Sequence, residues 1–248
     1  MNAVAAAFAF APALALGSFL NVVAARVPLK RSIVHPPSAC MSCGERIAWY
    51  DNVPLVSWAL LRGRCRSCKA AIPWVYPAVE LATAVLVAGC ILAFGVTWDA
   101  LVASFFCAVL VVISATDLEH RIIPNRVVLP AAAFVLAAQT MLHPSPEWAL
   151  AALGASFFLF VAAVVYPAGM GMGDVKLALL LGAMLGRVVP VGLMLGMLLA
   201  LIPSIYLLAR HGAKARKMGF PFGPFLALGA ILALFWGDQL LEAYLSIL

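Results

Sequence analysis

The chain has 248 residues, 65% of them apolar and only 10% charged, where soluble domains carry roughly a quarter of their residues as Asp, Glu, Lys and Arg. Its net charge of +6 reflects 16 Lys and Arg against 10 Asp and Glu. A water-soluble core of this size is excluded; the basic surplus would suggest nucleic acid only on a soluble surface, and its placement by loop reads as membrane orientation, so no nucleic-acid partner is expected.

Apolar runs fall at about 3–24, 77–96, 99–117, 125–142, 148–168, 175–187, 189–209 and 222–247, separated by Pro, Gly or charge clusters. A helix needs about 20 such residues to cross a hydrocarbon layer of about 30 Å. The expected fold is therefore an all-α polytopic membrane protein of about eight transmembrane helices. The first run contains Ala13-Leu14-Ala15, which has the small-x-small look of a cleavage site, but no basic residue precedes it and Arg26, Lys30 and Arg31 follow it. It is expected to be a retained span, residues 1–25, with its N-terminus outside. The sixth run, Val175 to Arg187, is too short to cross alone, so protein must shelter it or helical residues must extend it.

Alternating the loops puts segments 26–76, 118–126, 169–176 and 210–219 on one face, and they hold every Lys and Arg except Arg187. Asp99, Glu147, Asp238 and Glu242 fall on or near the other face. Basic loops stay cytoplasmic, which orients the chain and lets those loops meet anionic lipid headgroups.

Only residues 26–76 make a loop large enough to be a domain, leaving 77–248 as the main helical body. Within it, Cys40-Met41-Ser42-Cys43 and Cys65-Arg66-Ser67-Cys68 give the spacing C-x2-C-x21-C-x2-C. Two tight Cys turns supply four thiolates in a tetrahedron, and a zinc ion there clips together a segment too short for its own core. Cytoplasmic thiols stay reduced, which disfavours disulfides. Between the pairs, Trp49 to Trp58 is aromatic and polar; it suits a ligand surface, or a miniature core with Trp49 and Trp58 over the metal and a turn at Asp51 and Asn52. Cys90 and Cys107 lie inside apolar helices as packing residues. Gly182-x3-Gly186 and Gly192-x3-Gly196 suit close helix packing. The four His are scattered, and no nucleotide-binding Gly loop or internal repeat is visible.

Carboxylates at membrane depth are functional candidates. Asp117 ends the third span, Asp174 opens the sixth, and Glu80 starts the second. Two nearby carboxylates cannot easily both ionise, so one keeps a proton while the other activates water, which suits amide hydrolysis. Gly171 and Gly173 remove bulk beside Asp174 and admit an extended substrate or another helix. The plainer roles are a helix cap for Asp174, an ion pair with Arg121 or Arg126 for Asp117, and a solvated helix end for Glu80.

Taken together, Gly17-Ser18-Phe19-Leu20-Asn21-Val22 with Arg26 and Pro28, both Cys pairs, Asp51-Asn52-Val53-Pro54 with Ser57, Tyr76-Pro77-Ala78-Val79-Glu80, Asp117 with Ile123-Pro124, Gly171-Met172-Gly173-Asp174 with Lys176, and Pro221-Phe222-Gly223-Pro224 resemble the type IV prepilin peptidases, aspartyl proteases with a Gly-x-Gly-Asp motif. The first Cys pair departs from the family by enclosing Met41-Ser42, where Pro often follows the first cysteine. The resemblance implies that Asp117 and Asp174 cut the leader from prepilins or pseudopilins at the cytoplasmic face of the bacterial inner membrane, with Gly171, Gly173 and Lys176 along the substrate's approach. Many members then methylate the new N-terminus with S-adenosylmethionine, an activity that goes with the four-cysteine loop. A bifunctional enzyme is expected, with Asp51, Asn52 and Glu80 at the methyl-transfer site and Glu80 or Asp51 as base. Two alternatives remain at this stage: a related protease for other substrates such as archaeal preflagellins, and a transporter or channel whose paired aspartates bind a cation, with the zinc loop as a docking module.

Overall fold

The computed structural model describes residues 1–166, 170–212 and 220–246. Among them the chain forms α1 (Asn2–Arg26), α2 (Val56–Leu60), α3 (Val75–Phe94), α4 (Trp98–His120), α5 (Asn125–Leu142), α6 (Glu147–Val165), α7 (Met172–Leu185), α8 (Val189–His211) and α9 (Gly223–Leu245). Short 3-10 turns occur at Trp49–Asn52 and Gly186–Val188. The only β pairing among the described residues is two isolated bridges, Ala39 with Arg46 and Arg64 with Ala71. Every apolar run is a helix, with ends displaced by about three residues or fewer. Seven helical stretches are long and apolar enough to cross a membrane, α7 and α8 being joined through their connecting turn into one stretch, Met172–Arg210. Lys214, Arg216 and Lys217, which contribute to the charge segregation, lie outside the described residues.

Contacts divide the chain into two compact units, Met1–Ala115 and Thr116–Leu248, with the division inside α4. In the first unit α1 packs along α3. The two helices touch at Gly17, where an added Cβ would stand 2.6 Å from the Glu80 Cα. Nearby, the buried Asn21 side-chain amide donates to the Tyr76 carbonyl at 3.1 Å. At the other end of α3, Cys90 and Cys107 are buried with their sulfurs 3.9 Å apart, as expected for packing residues.

In the second unit α7 packs against α5 and α6, and α8 against α9. Leu177, Ala178, Leu180 and Leu181 of α7 have no exposed surface, so the short sixth span is indeed sheltered by protein. Glycine sets these distances. A Cβ on Gly182 would strike the Ala151 carbonyl oxygen and lie 2.5 Å from the Ala152 Cα of α6, and one on Gly229 of α9 would strike the backbone of Gly192 and Gly196 in α8. α7 ends at Gly186, whose φ of +52° is in the range that favours glycine. Just beyond, the Arg187 amide donates to Glu147 Oε1 at 2.6 Å and its guanidinium to Asp238 Oδ1 at 3.0 Å. These charges gather at the end of the unit where α6 begins and α7 finishes, the grouping that the loop alternation requires.

Because the atoms facing Gly182 are backbone, Gly182→Ala should overpack α6 against α7 and lose about 1–3 kcal/mol, read as a lower thermal midpoint in detergent. Gly154→Ala, with nothing within 4 Å of the added Cβ, should show no such loss.

Candidate active site and metal centre

Asp117 and Asp174 both line a cavity of about 480 Å³ in the second unit. Each is almost withdrawn from solvent, at 7% and 8% exposure, and burying a carboxylate requires replacement hydrogen bonds. Helix starts supply them, because the first amides of a helix have no internal partner. Asp174, in the first turn of α7, accepts the Gly171 amide at 3.2 Å. It therefore caps its own helix while facing the cavity. Asp117 lies one turn inside α4 rather than at its end. Its Oδ2 accepts the amide of Gly223 at 2.9 Å, at the start of α9, in place of the plainer ion pair with Arg121 or Arg126. One oxygen of each carboxylate is thus held by backbone, which fixes its position and leaves other lone pairs facing the cavity.

The motif Pro221-Phe222-Gly223-Pro224 acquires a reason here. Pro224 presets the first turn of α9, and Gly223 lets the backbone come close, since a Cβ there would sit 2.8 Å from Asp117 Oδ2. Gly223 is a site residue whose role the sequence pattern alone did not reveal. Gly171 and Gly173 both lie on the cavity wall; Gly171 has ordinary space, while a Cβ on Gly173 would stand 3.1 Å from the Ile123 Cβ. Lys176 also lines the cavity, where its Nζ donates to Asn125 Oδ1 at 2.9 Å.

In the first unit the four loop cysteines converge, with all four sulfurs within 4.8 Å of one another. Zinc–sulfur bonds of about 2.3 Å in a tetrahedron imply sulfur separations of about 3.8 Å, and Cys40 and Cys68 are 3.8 Å apart. The donor set therefore fits zinc. The two halves are built alike, a local repeat of Cys-x-Ser-Cys that spacing alone concealed. The Cys40 amide bonds the Glu45 carbonyl at 2.9 Å and the Cys65 amide the Ala70 carbonyl at 2.8 Å, with Gly44 and Lys69 both at positive φ. Backbone amides of Cys43 and Ser42 aim at the Cys40 sulfur and lower its pKa to about 6, while Cys43, although the Glu45 amide favours its thiolate, is pushed up to about 11 against the Cys68 thiol, so Cys40 is the first of the two to become a thiolate. Trp49 does not cover the metal site: it is 83% exposed. Trp58 packs on Gly63 and its indole N–H donates to the Ile72 carbonyl at 3.3 Å, while Asp51 and Asn52 do form a turn.

A second cavity of about 550 Å³ lies in this unit, its walls including Tyr50, Asp51, Asn52, Tyr76 and Glu80. Arg66, between two of the cysteines, forms a bidentate pair with Asp51, at 2.7 Å from Nε and 2.6 Å from Nη2, and also lies 5.6 Å over the Tyr50 ring. Those hydrogen bonds hold the Asp51 carboxyl below the usual carboxylate range. Glu80 is not a solvated helix end: it is 8% exposed and accepts the Leu55 amide at 2.8 Å.

Comparison with known proteins agrees with this layout. Residues 12–94 match the bacterial peptidase A24 N-terminal domain, and residues 104–206 the type IV leader peptidase family. Proteins named prepilin leader peptidase/N-methyltransferase from Bacillus subtilis and Pseudomonas aeruginosa are 34% and 37% identical to the chain, each over 94% of it, and are covered to 95% and 91% of their own lengths. The chain belongs to the prepilin leader peptidase/N-methyltransferase family. A Myxococcus xanthus member is 40% identical over 73% of this chain and 56% of its own length. No solved structure matches the chain. Family membership sets aside the transporter reading of the paired aspartates.

Gly223→Ala should displace the Asp117 carboxylate and reduce single-turnover leader cleavage about 10²-fold, the loss typical of a misplacement near 1 Å. Serine at both Cys65 and Cys68 should abolish stoichiometric zinc by elemental analysis and open segment 26–76 to limited proteolysis.

Proposed function

We propose that this member of the family removes the leader of type IV prepilins or pseudopilins with Asp117 and Asp174, and then methylates the exposed amine at the cavity of the four-cysteine unit. The carrying observation is the pair of buried aspartates on one cavity, each oriented by a helix-start amide. Between them the two carboxyls hold one proton at working pH. The ionised member takes a proton from water, whose oxygen bonds to the scissile carbonyl carbon, and the protonated member hydrogen-bonds the carbonyl oxygen as charge develops there. Collapse breaks the C–N bond, the leaving nitrogen gains a proton from the pair, and a free amine and a carboxylic acid remain. A glycine at the cut site lets the substrate helix unwind into the extended form this requires. Lys176, steadied by Asn125, and the wall at Gly171 and Gly173 lie on the substrate's approach.

For the second activity, Cys40, Cys43, Cys65 and Cys68 hold zinc, whose role is to fold segment 26–76. S-adenosylmethionine supplies an electrophilic methyl group on a sulfonium. The Tyr76 ring offers a face that attracts such a cation, with Asn52 and Glu80 on the same wall, while the Tyr50 ring holds the Arg66 guanidinium. Asp51 is committed to Arg66 and held ionised, which makes it a fixed part of that wall rather than a proton acceptor. The arrangement suits the cell's inner membrane, with the basic loops, segment 26–76 among them, on the cytoplasmic side and in contact with anionic lipid.

In detergent, purified protein should release the leader from a prepilin, and Asp117→Asn and Asp174→Asn should each lower that rate by at least about 10²-fold. Either variant should still add one methyl mass to a pre-cleaved pilin peptide. Cleavage at the wild-type rate in either aspartate variant would rule out the paired mechanism.

A further inference from the structure

Residues 50–57 contain a strained turn with a specific support. Leu55 has φ +58° and ψ −48°, and the Val56 amide donates to the Pro54 carbonyl at 2.6 Å. This is a three-residue γ-turn of the positive-φ kind, rare in proteins and unfavourable for a residue with a side chain. Strain of this type persists only where surroundings enforce it, and it concentrates at functional sites.

The enforcing group is on a membrane helix. Glu80 of α3 takes the Leu55 amide at 2.8 Å, beneath the point where Gly17 brings α1 within contact of the Glu80 backbone. The rest of the turn is closed by Ser57, which is 6% exposed. Its hydroxyl accepts the Val53 amide at 3.2 Å and donates to the Tyr50 carbonyl at 2.9 Å. Turn, hydroxyl and carboxylate together form one wall of the 550 Å³ cavity. Without Glu80, the Leu55 amide would lose its buried acceptor, and the γ-turn would keep only the Ser57 bonds and neighbouring backbone bonds against relaxation.

We propose that Glu80 is a positioning residue of the methyl-transfer site: its carboxylate pins the Leu55 amide, keeps the γ-turn closed, and so fixes the Tyr50–Ser57 wall on α3. This rests on the assignment of that cavity to methyl transfer, and it differs from a base role for Glu80 because what matters is an acceptor oxygen at this place. The side-chain amide of glutamine retains such an oxygen; alanine does not.

The test uses full-length enzyme in detergent, S-adenosylmethionine, and a synthetic pilin peptide with a free N-terminus, with zinc content and thermal midpoint as controls of folding. Glu80→Ala should raise KM for the methyl donor about tenfold, the equivalent of one buried amide left unpaired. Glu80→Gln should stay within about threefold of wild type and keep the wild-type pH profile of kcat, which removal of a base would alter. Hydrogen exchange at the amides of 53–57 should accelerate in Glu80→Ala and not in Glu80→Gln. Adding Leu55→Gly to Glu80→Ala should recover part of the lost KM, because glycine tolerates the turn unaided. Equal impairment of the Gln and Ala variants, or wild-type exchange in Glu80→Ala, overturns the proposal. Absence of methyl transfer by the wild-type enzyme would instead defeat the assignment of the cavity, and the exchange measurement would still decide the role of Glu80.

Discussion

A carboxylate removed from water must be given hydrogen-bond donors, and a bilayer protein has few to spare because its helices use nearly all their amides internally. The structure meets this need in the same way three times. Glu80, Asp117 and Asp174 are the buried acids among the described residues, and each accepts one backbone amide: from Leu55, Gly223 and Gly171 respectively. Two of these donors sit at helix starts, where an amide is free and the helix dipole favours negative charge. The Ser18 side chain adds to that donor at Glu80, and Asp174's own amide at Asp174; lone pairs still remain for a further partner.

This solution dictates much of the surrounding sequence. An amide reaches a side chain on another helix only if the backbones come close, which is why Gly223 has no room for a Cβ beside Asp117. The proline at the start of α9 and the capping geometry of α7 then fix the direction of the amides. In the loop segment, where hydrocarbon packing is absent, the paired cysteine turns and the Arg66–Asp51 pair take over the ordering.

The sequence discloses the helices because hydropathy is read one segment at a time: Pro124 and His143 bracket α5, and the run between them is already apolar. The four cysteines are legible for a similar reason, since two short spacings define two turns. What escapes is pairing between distant segments. Asp117 and Gly223 are separated by more than a hundred residues, and nothing local to Asp117 distinguishes an amide partner from the nearby Arg121. Arg66 reads as one more cation in a basic loop until its partner Asp51 is seen. The aromatic content of 49–58 suggests a small core, yet Trp49 is on the surface, and the segment is gathered instead at the four-cysteine cluster. The γ-turn at Leu55 has no sequence signature, since it is imposed from α3 and not by the residues that form it.

The brevity of α7 has one more effect. Its 14 residues rise only about 21 Å, some 9 Å short of a hydrocarbon layer of about 30 Å, and Asp174 stands in its first turn. A lipid-facing helix could not stop there without leaving polar backbone in hydrocarbon, so protein must cover α7, as the fully buried Leu177, Ala178, Leu180 and Leu181 show. The length of this segment is thus set by its neighbours in the bundle and not by the bilayer, which leaves room for a carboxylate in its first turn.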